Sequence, residues 1–463
     1  MSATETNEAN AKLRPGFGPA RSARGLEPRH PSSRAHLYRL LWRWHFYAGL
    51  FTAPVLIIAS LTGAIYVFIH ELQPVIHPAL FLSKVAENPY DGPLGRRAAV
   101  LDDAVAAAIE AYPQAKVVAA AEPREPGRNA TVTLNLPEGF RTAFVDPVDF
   151  EVKGLYDEPN SFFGIVLALH RRLLAGSIGR MLVELTAAWG LILLLTGLYL
   201  WWPRRLGRPR SPVVGVWFPR FRGPFLPMLR DWHAVVGFYA LITAGFVLFT
   251  GLFFTQVFGN AYKRLSNHGG ETPPGAFSVK PVSEAATGRP RIRCEKALEV
   301  AEAHLPGYGP RRVQFPGTPH ETFRVTRIDW SNPTWKTTVF VDAYSSRVVH
   351  TTGWDDAPLA HQVRLSVYPI HTGEIFGLPT KILALLTCLT LTLLAVTGIW
   401  MWWRKRPQNT WGLPPSNYER APIWLSAMIF GLGVVLPAVG FSILVIVVGD
   451  LIVQRAARHR AAA

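Results

Sequence analysis

The chain has 463 residues, 49% of them hydrophobic and only 17% charged, and its mean hydropathy is positive. That composition excludes an ordinary soluble domain and points to a membrane protein. The net charge of +16 comes from basic residues that flank apolar runs, which argues against a nucleic-acid partner; the two distant cysteines, Cys294 and Cys388, exclude a thiolate zinc site.

Residues 1–35 are rich in Ser, Pro, Arg and Ala and lack an apolar stretch, so they read as a disordered cytoplasmic tail. A transmembrane helix needs about 20 apolar residues. The first is expected over 36–70, followed by an α+β unit over 71–160, a second span over 161–203 and a basic loop over 204–230. The order then repeats: a third span over 231–258, a second α+β unit over 259–365, a fourth span over 366–403 and a loop over 404–420. A fifth span over 421–453 and a short tail over 454–463 lie outside the repeat. The fold class is thus a mainly α membrane protein: a four-helix bundle from two tandem repeats, a fifth transmembrane helix and two small α+β domains.

Within the first unit, helical spacing over 101–112 stops at Pro113, and strands are expected over 131–136 and 144–149. In the second, 294–305 stops at Pro306, with strands over 323–326 and 337–342. Asn129-Ala130-Thr131 matches a glycosylation sequon. Arg204, Arg205, Arg208, Arg210, Arg220, Arg222 and Arg230 share a connection without acids, and Arg34, Arg39, Arg43 and Arg404-Lys405-Arg406 flank other span ends. The positive-inside rule makes all these ends cytoplasmic and both α+β units external. The fifth span conflicts with that rule. Pro437 kinks it, and one crossing would leave Arg455, Arg458 and Arg460 outside.

The repeat carries chemistry. Trp44-His45 with Gly49 and Trp232-His233 with Gly237 lie 188 residues apart, as do Thr62-Gly63 and Thr250-Gly251. His170 precedes Thr196-Gly197 as His371 precedes Thr397-Gly398. Ionisable groups at membrane depth are costly and default to function. Imidazole binds iron well and supplies both axial positions of haem. The expectation is an inner haem on His45 and His233 and an outer haem on His170 and His371. Arg43 and Arg230 near the inner pair, and Arg180 and Lys381 near the outer, are expected to meet the propionates. Gly49 and Gly237 are expected to admit the flat macrocycle, and the Thr-Gly pairs to serve helix packing. His70 is a lesser candidate for an outer ligand. No glycine-rich nucleotide motif or P-loop is present, so electrons would come from quinol or a separate donor. No catalytic side chain is assigned. From His170 to Trp201 a straight helix would run about 46 Å, more than the roughly 30 Å of apolar bilayer. Breaks are therefore expected near Gly176 and Gly179, and near Gly373, Gly377 and Pro379.

These residues resemble the PepSY-associated transmembrane helix family, iron-regulated membrane proteins that include ferric-siderophore reductases. The resemblance rests on Trp44-His45 with Gly49, Leu169-His170 with Gly179-Arg180, Ile370-His371-Thr372-Gly373 with Gly377, and the two external units, and it covers about residues 36–406. It implies a bacterial inner-membrane protein with two PepSY-like periplasmic domains. It also implies haem b on the bundle histidines and reduction of a ferric siderophore, or another iron chelate, on the periplasmic side. Two alternatives stay open: a metal or siderophore permease using the same histidines, and a non-catalytic PepSY regulator of a partner protein. The arginine-rich tail and the fifth span depart from the four-span pattern.

Overall fold

The computed structural model of the chain describes residues 33–84, 94–202, 213–268, 281–284, 290–328, 331–410, 412, 422–446 and 448. Nearly all of the expected N-terminal tail, Arg204 to Arg210 of the basic loop, and Arg455, Arg458 and Arg460 lie outside the described residues.

Helix α1 (Ser33–Tyr66) is long and apolar enough to cross a membrane, and the short α2 (Ile69–Ile76) and α3 (Pro78–Phe81) follow it. Helix α4 (Leu94–Ala111) leads into β1 (Lys116–Ala121), β2 (Ala130–Leu136), β3 (Gly139–Val145) and β4 (Val152–Tyr156). The return to the membrane breaks where the length argument requires it. Helix α5 (Phe162–Arg172) ends at Leu173 and Leu174, both left-handed with φ of 50° and 56°, before α6 (Gly176–Trp201). Two non-glycine residues in that conformation cost about 1–3 kcal/mol each.

The expected third span over 231–258 is not one straight helix. Helices α7 (Phe225–Tyr239) and α8 (Leu241–Leu252) meet at a 68° bend. The bend carries Ala244 and Leu248 into a small core with Leu391, and Leu248 sits on Gly190 of α6, where a side chain would block it. Helix α9 (Val257–His268) follows, its first N–H groups donating to the buried Glu184 of α6 (2.8 and 2.7 Å). The second half continues with α10 (Cys294–Glu302), β5 (Arg311–Gln314), β6 (Phe323–Arg327), β7 (Thr338–Val341) and β8 (Val348–Thr352). Helix α11 (Leu359–Thr372) then stops at Gly373 (φ 75°), and α12 (Leu378–Lys405) crosses. Glycine supplies in this half the left-handed turn that two leucines make in the other.

The two expected α+β units are both present but form one body. Their strands make a single eight-stranded sheet, β4-β3-β2-β1-β5-β6-β7-β8, joined where Ala119–Ala121 of β1 pair antiparallel with Arg312–Gln314 of β5. Each unit alone would leave a hydrogen-bonding edge at that strand, and joining the halves removes both edges. Leu101, Leu134, Leu298, Val313 and Phe323 share one core under α4 and α10. Asp102 of α4 accepts from the backbone N–H of Cys294 and Glu295, capping α10 of the other half (3.0 and 3.1 Å). The buried Arg311 guanidinium donates to Glu122 across the junction.

The expected strand over 144–149 ends at Val145, because Asp146 turns the chain: its carboxylate accepts from Val148 N, Lys84 N and Ser83 Oγ. Asp342 does the same in the second half, accepting from Tyr344, Ser345 and Glu284 N. The repeated Val-Asp pair is therefore a turn acceptor that ties down the strap leaving the membrane. Asn129 of the sequon is buried, its amide donating to Leu80 and Leu82 O, so this side chain is structural.

The fifth apolar segment is not one transmembrane helix. Helix α13 (Ile423–Val435) measures about 20 Å, short of roughly 30 Å of bilayer, and α14 starts at Pro437 and is described to Ile446. Pro437 cannot extend α13, having no N–H to donate. The chain doubles back there: a Cβ on Gly440 would lie 2.6 Å from the Gly433 carbonyl oxygen. The tip, Leu436 and Val439, packs on Ala188 of α6 and Leu252 of α8, and Trp189 Nε1 donates to Ser442 Oγ (3.2 Å). Ala188 stands about 20 Å along α6 from Trp201, the length of α13.

Candidate functional site

Each bundle histidine is seated on a neighbouring helix of its own half. His45 of α1 has Nδ1 2.9 Å from Thr196 Oγ1 of α6. In return, His170 of α5 lies against α1, with Nδ1 2.8 Å from Ala59 O and 3.4 Å from Thr62 Oγ1. The second half repeats this. His233 Nδ1 is 3.0 Å from Thr397 Oγ1, and His371 Nδ1 is 3.1 Å from both Thr250 Oγ1 and Val247 O. The glycine after each threonine makes room. A Cβ on Gly63, Gly197, Gly251 or Gly398 would stand 3.2, 3.2, 3.1 or 3.6 Å from the Cε1 of His170, His45, His371 or His233 respectively.

The hydroxyls decide the tautomer. Thr62, Thr196, Thr250 and Thr397 each donate their only proton to a backbone carbonyl one turn back (2.6, 2.8, 2.6 and 2.7 Å). Each oxygen is left as an acceptor, so Nδ1 carries the hydrogen that it donates. Nε2 is then the nitrogen with a free lone pair, the arrangement that second-shell partners impose on metal-ligating imidazoles.

The halves meet through these rings. His45 and His233 have ring centroids 6.3 Å apart, and His170 and His371 have centroids 6.2 Å apart, with interplanar angles of 84° and 52°. Two imidazoles on opposite sides of one metal ion, with metal–nitrogen bonds of about 2 Å, have centroids about 6 Å apart. Thr62, the seat of His170, lies 17 residues beyond His45 on α1, or about 26 Å. The two pairs are therefore separated along the bundle by a distance comparable with the roughly 30 Å of an apolar bilayer layer.

The family model described as PepSY-associated TM region matches residues 42–405, a stretch holding all four histidines and both halves of the sheet. The chain belongs to that family. No curated protein matches it.

Other expected site residues of this PepSY-associated TM protein take different places. Lys381 is buried and donates to Glu71 Oε1 at 2.6 Å. A buried ammonium needs its counter-charge, so Lys381 is not open to a propionate. Arg230 is exposed and leans on the buried Asp231 (3.2 Å), which also pairs with Arg220. Arg43 and Arg180 are half-buried, and Arg180 is near enough to Arg171 for the like charges to oppose one another. Gly49 and Gly237 do not abut the rings: their nearest neighbours are Leu193 and Leu394, so they serve helix packing. The Thr-Gly pairs, expected to pack helices, are the histidine seats. His70 is no outer ligand, because its Nε2 lies 2.9 Å from Arg124 Nη1 and 3.4 Å from Glu374 Oε1. Sequence reading missed Glu374 and the role of the four threonines as partners of the rings; the identical spacing of Thr-Gly to histidine in both halves was the available signal.

Among the described residues no group of three or more His, Cys, Asp or Glu side chains gathers to hold a metal ion. The donor sets are two pairs of imidazoles. Such a pair completes an iron centre when four equatorial donors come from a ligand.

Proposed function

We propose that this PepSY-associated TM protein is a bacterial inner-membrane electron carrier holding two haem b groups, and that it reduces a ferric siderophore or similar iron chelate on the periplasmic side. The observation that carries this reading is the pairing of four threonine-seated imidazoles at about 6 Å, with Nε2 left as the free nitrogen. The donor set fits haem better than a bare ion, because haem brings its own four equatorial nitrogens. Haem when bound supplies one-electron iron chemistry.

The protein's own residues do the rest. Thr196 and Thr397 hold the inner rings, and Thr62 and Thr250, with the Ala59 and Val247 carbonyls, hold the outer ones. The apolar bundle excludes water between the two pairs. The joined sheet presents the acceptor to the outer pair, and the donor, quinol or a separate protein, serves the inner one. One electron turns the chelated ferric ion into ferrous iron, which hard oxygen ligands hold much less tightly, and its release is the gain for iron acquisition.

The basic span ends support a cytoplasmic inner pair. The α13–α14 hairpin supports a re-entrant fifth segment, which keeps its far end on the cytoplasmic side.

Absorption spectra of the purified protein, oxidised and dithionite-reduced, test the reading. Two haems per chain are expected. A protein expressed with ample haem and showing no Soret band would overturn it.

A further inference from the structure

We infer that the face of the joined sheet opposite α4 and α10 is the acceptor site, and that it selects anionic, carboxylate-bearing ferric chelates. This rests on the reductase reading above. Strand alternation sends every second side chain away from the shared core. In the second half that outward set lines a hollow of about 190 Å³ with Arg312, Arg324, Gln314, Thr326 and Thr338. Across the β1–β5 junction a second hollow of about 190 Å³ lies under α2, lined by His70, Gln73, Arg124, Arg128 and Asn129. Arg312 lines both, so the hollows form one trough.

The trough is built to receive something negative. Arg128 Nη1, a cationic donor, is buried there without a hydrogen-bond partner, and buried groups of this kind are normally satisfied. Arg128 pairs through its other nitrogen with Glu125, and Glu122 is already committed to Arg311. Arg312 and Arg324 have no carboxylate partner among the described residues; the Arg324 guanidinium lies over the Phe340 ring (5.7 Å). Guanidinium forks match carboxylates with two parallel hydrogen bonds. Each hollow is small against the roughly 300–1,000 Å³ of common ligand sites, so the fit is to a compact chelate or to a charged arm of a larger one. The trough also adjoins the outer pair: His70 from its wall reaches Glu374, three residues beyond His371.

Calorimetric titration of the detergent-purified full chain with gallium(III) citrate, a redox-inert stand-in for the ferric complex, tests this. Gallium accepts no electron, so binding is read apart from haem content, and either reading can fail alone. Saturable binding is expected, about 10-fold weaker in Arg312→Gln and several-fold weaker in Arg324→Gln. Arg347→Gln, at an exposed pair with Glu284, should leave it unchanged. A cationic gallium tris-hydroxamate should bind at least 10-fold more weakly than the citrate complex. Equal affinity for the two complexes, or an Arg312→Gln protein that binds like the parent, would overturn the inference. Free citrate binding as tightly as its gallium complex would overturn the chelate selectivity.

Discussion

The inner and outer histidine pairs use the same parts on different backbones. His45 and His233 sit within the bodies of α1 and α7, and their Nδ1 groups have threonine hydroxyls as acceptors. His170 and His371 sit in the last turns of α5 and α11, just before left-handed residues stop those helices, and each reaches a backbone carbonyl as well. The depth of the inner pair follows from helix continuity. The depth of the outer pair follows from helix termination, without which His170 and His371 would ride far above the bilayer. The outer seats each carry a second, carbonyl acceptor and depend on a break; the inner seats need no break, and of the two it is His233 that also has a backbone partner, at Leu394.

The sharpest way to break this comparison is to remove one ligand of each pair. His45→Ala should cost the inner haem and His371→Ala the outer, each leaving about half of the bound haem in a pyridine haemochrome assay. Complete loss from either single change would show that the pairs are not independent. Next come the glycines. Gly251→Ala places a methyl about 3.1 Å from the His371 ring, and Gly49→Ala places one 3.8 Å from Leu193. The first should deplete or reshape the outer haem spectrum, and the second should leave the spectrum unchanged.

The spare acceptor predicts a smaller contrast. Thr196→Val removes the hydroxyl acceptor of His45 and should weaken haem retention about 10- to 100-fold, the usual cost of losing an outer-shell partner. Thr62→Val leaves the Ala59 carbonyl for His170 and should cost several-fold at most. Titrating the apoprotein with haem compares the two.

The hairpin gives a topological prediction. A reporter fused after residue 448 should be cytoplasmic, on the side of Arg404 and Arg406; a periplasmic reporter would restore a simple crossing.

The smallest effect concerns Lys336, which donates to Leu365 O of the helix that carries His371. Burial pushes its ammonium down to about 8, partly opposed by Glu374. The unfolded chain keeps the ordinary value near 10.5, so it binds more protons between those limits, and stability rises with pH across that window. A slight rise in melting temperature from pH 7.5 to 9.5, flattened in Lys336→Met, is the expected result.

Much of the fold was legible because it repeats. The spacing of histidine, threonine and glycine marked four equivalent helices. The length from His170 to Trp201 demanded a break, and Pro113 and Pro306 announced matching units. Helix and strand periods, proline stops and charge asymmetry are local properties, so sequence alone determined the apolar spans, their order and the four histidines. Tertiary structure alone decided what each repeated residue touches. Which glycine faces a ring depends on a helix more than 100 residues away, so Gly49 and Gly197 exchanged their expected roles. Whether two α+β units stay apart depends on an unpaired strand edge finding its twin, which no local pattern records. Whether an apolar run crosses or doubles back at Leu436 depends on Gly433 meeting Gly440 and on Ala188 and Leu252 receiving the tip. Those contacts join distant parts of the chain, and only packing brings them together.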